Sequence, residues 1–371
     1  MAESFSLKDQ LFNPVKVAGL GREIAGAWDG FDAGAFEARV CERFPELELK
    51  ARIAWIAEVL DEMLPDDFDR AAGIIAAALP PPLDPALTDD DFGQFIHAPY
   101  GDFIVRRGLE DHRDAALDLI GEVTQRFSME YAIRPFINRW PDETFARLDT
   151  WAGHGNYHVR RLVSEGSRPK LPWGIGLSTD PLRALPLLDR LHRDGTRYVT
   201  RSVANHLNDI TKIAPGAALE RLVAWRDAAP GDAEVAWIAG HALRGQVKAG
   251  DRAAMAFLGF DPDAAVEVAL EVLTPEVAIG ESLRFAVTLT AGADVPVLVD
   301  WLVEFPEGTG RRGPKVFKLK QAVARAGTPL RLEKAQRMKG DATTFKLAPG
   351  MHGLAVQVNG TIRARGTFTL V

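Results

Sequence analysis

The sequence predicts an α-helical solenoid followed by a β-sandwich, and three observations point to that order. From Phe5 to about Phe260, apolar residues recur at helical spacing in amphipathic segments of about 10 to 18 residues. The blocks HVRRLVSEG (158–166) and YVTRSVANH (198–206) superpose at a spacing of 40 residues, a period suited to stacked helix pairs. Near Asp261-Pro262-Asp263 the apolar period changes from 3.6 to 2.

The helical segments are punctuated by Leu64-Pro65-Asp66, Pro80-Pro81-Pro82, Trp140-Pro141-Asp142 and Ala229-Pro230-Gly231-Asp232, where proline removes a donor and glycine allows a sharp turn. The two aligned copies match Val159 with Val199, Arg161 with Arg201 and Val163 with Val203, while Glu165 falls on Asn205. EVAWIAGHAL (234–243) is a weaker copy 36 residues later, and LKARIAWIAEVL (49–60) an earlier one. Helix pairs of this period stack in the manner of HEAT-like repeats, because one pair alone cannot bury its apolar face. In the tail, 282–290 alternates, 297–305 is β-branched and aromatic, and 316–319 alternates briefly. The runs 352–358 and 361–370 flank Asn359-Gly360, a strong hairpin signal. About seven short strands without a cysteine pair suit an immunoglobulin-like sandwich that lacks the disulfide. The expected division is 1–262 for the solenoid and 263–371 for the sandwich.

Composition narrows the chemistry. Cys41 is the single cysteine, so there is no intramolecular disulfide and no cysteine-ligated zinc or iron–sulfur centre. GLGREIAG (19–26) lacks the Lys-Ser/Thr pair of a phosphate loop, no clustered His/Asp set suggests a metal, and no GxSxG occurs. No cofactor and no metal are therefore expected. The N-terminal residues carry no secretory pattern and no apolar run spans a bilayer, so the expected location is cytoplasmic, with no membrane partner. Residues 1–150 hold 15 Lys+Arg against 29 Asp+Glu, whereas 151–263 hold 15 against 12 and 264–371 hold 14 against 10. A polyanion would meet a local patch on the basic back half.

That patch is legible along two helices. In the first, Val159, Leu162 and Val163 make a core stripe and place Arg161 and Glu165 on the opposite, wet face. In the second, Val199, Val203, Leu207 and Ile210 make the core stripe, with Arg201, Asn205, Asn208 or Asp209, and Lys212 along a polar one. Residues 158–212 hold ten Lys+Arg against five Asp+Glu, and the repeat sets Arg161 and Arg201 in a row suited to phosphate oxygens. A solvated solenoid face gives the same pattern. Trp55, Trp151, Trp225 and Trp237 fall on apolar stripes and read as core, and His97, His112 and His154 as loop or surface residues. Trp173 follows Pro172 in a basic loop with Arg168 and Lys170, where its ring either stacks on a base or sugar or packs on the next repeat.

With these blocks in view, the chain resembles the AlkC branch of the HEAT-like repeat DNA alkylation-repair glycosylases. The resemblance rests on LKDQLFN near the start, SMEYAIRPFI (128–137), NYHVRRLVSEGSRPKLPW (156–173) and YVTRSVANHLNDI (198–210), and runs through most of residues 5–250. The tail resembles the immunoglobulin-like domain that some members carry. Gly153-His154-Gly155 departs from an ordinary turn between repeats. The resemblance implies a glycosylase, acting as a monomer in the nucleoid, that excises 3-methyladenine and 3-methylcytosine from duplex DNA without flipping the base. It implies Glu165 and Glu130 as catalytic carboxylates and Trp173 as the stacking residue. Arg160, Arg161, Arg168, Lys170, Arg201, Asn205, Asn208 and Lys212 would contact DNA, as would Arg311 and Arg312 of the tail. Glu130 has a plainer reading, a surface-helix salt bridge to Arg126 and Arg134 at i−4 and i+4. Rival functions are a non-catalytic binder of damaged or branched DNA and a protein-interaction scaffold.

Overall fold

The structure, a computed structural model, describes residues 6–87, 89, 92–306, 313–340 and 347–371. The chain divides into two compact units, Met1–Ala242 and Leu243–Val371. In the first, α1 (Leu7–Leu11), α2 (Pro14–Ala27), α3 (Ala33–Glu42), α4 (Leu49–Met63) and α5 (Phe68–Ala78) precede α6 (Ala98–Gly108) and α7 (Arg113–Thr124). Then follow α8 (Ile133–Arg139), α9 (Pro141–Trp151), α10 (Tyr157–Gly166), α11 (Leu185–Leu191), α12 (Arg197–Ile210), α13 (Pro215–Ala228) and α14 (Ala233–Ala242). No helix among the described residues is long and apolar enough to cross a membrane.

The breaks fall where turn chemistry predicts. Pro141 opens α9 at its first turn, and Gly231 has φ 81° between α13 and α14. Helix α10 packs on α12 and α12 on α14, so the repeat aligned by sequence is a stack of helices in space. Val159, Leu162, Val163, Val199, Val203, Leu207 and Ile210 are fully buried between them. Trp55, Trp151 and Trp225 are core, as expected, while Trp237 is only partly buried beneath the Arg197 guanidinium. His97 is a correction: it is fully buried, with Nε2 3.0 Å from Glu23 Oε2.

The second unit begins earlier than the change of period suggests. Its short helices α15 (Arg244–Ala249) and α16 (Arg252–Phe257) lead into Phe260, and Met255 and Phe260 pack with Leu298 of the sandwich. A boundary drawn from periodicity misses this, because two one-and-a-half-turn helices still read as helical pattern. The strands are β1 (Val266–Val272), β2 (Glu276–Val277), β3 (Ser282–Ala291), β4 (Val295–Glu304), β5 (Lys315–Ala324), β6 (Leu330–Arg337), β7 (Gly350–Val358) and β8 (Thr361–Leu370). They form a three-stranded sheet, β1-β3-β6, and a five-stranded sheet, β2-β8-β7-β4-β5. Phe285, Val287, Trp301, Val356 and Phe368 interdigitate between them. The β7–β8 hairpin turns on Asn359 and Gly360, with φ of 47° and 80°. Asn359 also ties the turn to the helical cap, donating from Nδ2 to Asp261 O at 2.9 Å and to Pro296 O at 3.1 Å.

One buried acid makes this unit sensitive to pH. Asp300 of β4 is 3% exposed, and its Oδ2 has no hydrogen-bond partner among the described residues. Burial pushes its carboxyl up from 3.8 to about 6, against the pull of Lys318 and Lys248. The folded state thus holds the proton more tightly than the unfolded one, and stability contributed by the protonated form is lost as pH rises through about 6. Asp300→Asn should therefore stabilise the chain at neutral pH, by on the order of 2 kcal/mol, with little effect near pH 4. Thermal unfolding of both proteins across that range is the check; a difference independent of pH would contradict it.

Candidate active site

Five segments meet at one cleft: the stretch at Phe92 before α6, the loop after α7, α10, the long loop 167–180, and α12 from Tyr198 to Asn205. Helix α10 starts cleanly because Asn156 Oδ1 accepts from His158 N at 2.8 Å, and it ends where Ser167 Oγ bonds Val163 O at 2.6 Å. Its polar stripe faces α12 instead of water. Arg161 is 6% exposed and Glu165 5%, which corrects the wet-face expectation. The reason is packing: α12 lies against that stripe and the 167–180 loop returns beside it, so a polar face becomes an internal one.

Within the cleft, charge is arranged around two carboxylates. Glu165 Oε1 accepts from Arg168 Nη1 and its Oε2 from the Ser202 hydroxyl, each at 2.6 Å, with Arg161 Nη2 3.6 Å from Oε2. Burial on its own raises the Glu165 carboxyl. The Arg161 and Arg168 guanidiniums and the Ser202 hydroxyl outweigh it, holding the group below its ordinary value and ionised. Arg161 is shared, since its Nη1 bonds Glu130 Oε2 and reaches Ser128 Oγ at 2.8 Å. Ser128 Oγ in turn donates to the same Glu130 oxygen at 3.0 Å. Burial lowers the tendency of Arg161 to hold its proton, but the charges of Glu130 and Glu165 more than reverse this. Its guanidinium also lies 4.8 Å over the Tyr198 ring. Behind Glu165, burial brings His206 down to about 4 and leaves it neutral, with Nδ1 2.9 Å from Ser164 O.

The cleft has a volume of about 280 Å³ and is lined by Glu130, Glu165, Arg161, Arg168, Trp173, Arg201 and Asn205, with Phe92, Tyr198 and Ser202. Of the residues expected from the sequence, both acids, the tryptophan and four cationic or amide residues lie together along this cleft. Trp173 is 58% exposed, with the Lys50 ammonium 5.0 Å from its ring, so it is a free-standing cleft wall and not core. Arg201 pairs with Asp89, and Asn205 Oδ1 lies 2.9 Å from His241 Nε2.

Other expected DNA contacts are placed elsewhere. Asn208 is 4% exposed and donates to Ala242 O at 2.7 Å, so it joins α12 to α14 inside the stack. Arg160 is tied to Asp194 and to the carbonyls of His154 and Gly155, which fixes the loose Gly-His-Gly turn. Lys170 is exposed on the loop, and Lys212 reaches Asp209 Oδ1 at 3.0 Å beyond the cleft lining. Arg311 and Arg312 lie outside the described residues. The plainer reading of Glu130 also fails. Glu130 sits in a turn before α8; Arg126 bonds Pro80 O and Glu122, and Arg134 bonds carbonyls of the 167–180 loop. Ser202, Ser128 and Tyr198 were missed, because a hydroxyl carries no signal until its carboxylate partner is known, nor a ring until the guanidinium above it is.

Comparisons with known proteins agree with this frame. Residues 267–371 match the family described as "Uncharacterised protein YhaZ, C-terminal Ig-like domain". YhaZ of Bacillus subtilis (strain 168), itself described as uncharacterized, is 31% identical over 359 residues, spanning 95% of this chain and 96% of that one. The solved structure of the Pseudomonas fluorescens alkylpurine DNA glycosylase AlkC, bound to DNA containing an abasic site analog, aligns with a TM-score of 0.86 and 32% identity. That alignment covers 99% of this chain and all of the other. Likeness of this extent, through both units and at full length, means that the chain belongs to the family that contains YhaZ and AlkC.

Proposed function

We propose that this protein is a DNA glycosylase of base excision repair that hydrolyses the N-glycosidic bond of cationic alkylated bases, 3-methyladenine and 3-methylcytosine, in duplex DNA. The observation that carries the proposal is two carboxylates and an exposed tryptophan on one open cleft, on a frame shared with a protein that processes alkylpurines in DNA. A base methylated at such a ring nitrogen already bears positive charge and leaves without being protonated, so the protein needs no acid. It needs anionic groups beside the oxocarbenium-like sugar, and a place for water.

The two acids divide that work. Glu165 is held ionised by two guanidiniums and a hydroxyl, and its surroundings keep both oxygens oriented. Among the described residues only Oε2 of Glu130 is hydrogen-bonded, so Oε1 is the oxygen available to a sugar or a water. An open cleft, not an enclosed pocket, suits recognition of the lesion from the backbone side without base flipping. Trp173 offers its ring to the exposed sugar or base edge, and Arg168, Lys170, Arg201, Asn205 and Lys212 supply the polar and cationic border for phosphates. The basic tail, with 14 Lys+Arg against 10 Asp+Glu over 264–371, is proposed to hold the duplex beyond the cleft. The partner is duplex DNA, the protein acts as a monomer, and the setting is the nucleoid.

The test is release of free base from dimethylsulfate-treated duplex. Free 3-methyladenine is expected; salt-sensitive binding without release would favour a non-catalytic DNA binder, and neither activity would favour a scaffold. Arg201→Ala should weaken binding to damaged and undamaged duplex alike and flatten the dependence on salt by about one phosphate contact. Unchanged affinity for undamaged DNA would remove Arg201 from the border.

A further inference from the structure

Arg134 is a buried charge with no acid attached to it. The side chain is fully buried, and none of its ion-pairing groups meets a carboxylate among the described residues. Instead it donates to three carbonyls, Gly166 at the end of α10 at 2.9 Å and, in the loop that carries Trp173, Arg168 at 2.8 Å and Ile175 at 2.5 Å. Burying a guanidinium this way is costly, and burial does bring its pKa down to about 10. Two of the three acceptors lie at the C-terminal end of α10, where a cation is favoured by the helix dipole. The third lies just beyond Trp173. Gly174 is pressed against the same side chain, since a Cβ there would sit 2.6 Å from Arg134 Cδ and 3.0 Å from Nε. One turn along α8, Asn138 continues the seam by donating to Gly176 O and accepting from Ser178 N, each at 2.9 Å.

Loops this long without secondary structure need such anchors to hold one shape. The anchor here stands four residues from Glu130 in sequence, on the element that the Glu130 turn enters. The carbonyl of Arg168, which it holds, belongs to the residue whose guanidinium grips Glu165.

We infer that Arg134 is a positioning residue for the cleft, clamping the 166–175 loop so that Trp173 and the Arg168–Glu165 pair stand at a fixed place relative to Glu130. The inference rests on the glycosylase reading for its kinetic arm only. A lysine keeps the charge but offers one point donor group in place of a planar fork, and cannot reach three carbonyls in this geometry. Displacing a reacting group by about 1 Å can cost about 100-fold in rate.

Arg134→Lys and Gly174→Ala are to be compared with wild type in three measurements: single-turnover release from methylated duplex, affinity for abasic-site duplex, and amide hydrogen exchange of residues 167–176. Release should fall by about 30- to 100-fold. Affinity should change by less than about threefold, and exchange in the loop should accelerate while α10 and α12 stay protected. The glycine variant keeps the arginine but presses a methyl group against its stem, so it carries the test if the lysine variant does not fold. A wild-type rate in both variants, or loop exchange that is unchanged, overturns the assignment. If the wild-type protein releases no base, the glycosylase reading fails, and the exchange measurement alone still decides whether Arg134 holds the loop.

Discussion

Arg161 sits between two acids, and the cleft depends on that arrangement. Glu130 comes from a turn before α8 and Glu165 from the last turn of α10; without a cation between them, burial would favour protonating one. The shared guanidinium helps hold Glu165 ionised, and it is itself kept charged by the two acids despite being buried. Removing it would leave Glu130 without its cation and Glu165 with Arg168 alone, which is why such a group resists replacement. The carboxylates that the proposed chemistry uses are also what fastens the Glu130 turn to α10. Ser202 extends the same fastening to α12 through Glu165 Oε2.

This arrangement changes the meaning of the basic patch. Counting charges over 158–212 suggests a row of free guanidiniums, but most of those arginines bond acids of the neighbouring repeat. Arg183 meets Asp142, Arg190 meets Asp149, Arg168 meets Asp209, Arg197 meets Glu234 and Arg160 meets Asp194. The arginines join repeat to repeat, and the surplus that faces a polyanion is smaller than the local count. The exposed pairs, Arg183–Asp142 and Arg190–Asp149, add little stability singly, whereas Arg160–Asp194 and Arg168–Asp209 are largely buried. Their regular spacing gives them a different use, setting the register of one helix pair on the next.

Much of this was legible in the sequence, and the failures share a cause. Apolar periodicity identified the core stripes of α10 and α12 residue for residue, because each buried position is dictated by one helix alone. Asn359-Gly360 announced the β7–β8 hairpin because the turn demands two residues with positive φ. Both acids and Trp173 came from long sequence blocks. What a single helix cannot disclose is which partner covers its polar face. Arg161 and Glu165 were therefore placed in water, Asn208 on DNA, and Arg134 beside Glu130, when each is fixed by a segment about 30 to 40 residues away. Likewise α15 and α16 read as more solenoid until Leu298 is seen beneath Met255 and Phe260.

The central claim is that a buried, ionised Glu165 stabilises positive charge on the substrate. Glu165→Gln keeps the shape and the acceptor for Arg168 while removing the charge. Its single-turnover excision rate on 3-methyladenine duplex, set beside its affinity for abasic-site duplex, tests the claim most directly. The account predicts a rate lowered by about 10² or more, roughly 2.7 kcal/mol, with product affinity held or tightened because one negative charge near phosphates is gone. Excision at the wild-type rate would contradict it, and would leave Glu165 as the inner half of a structural ion pair.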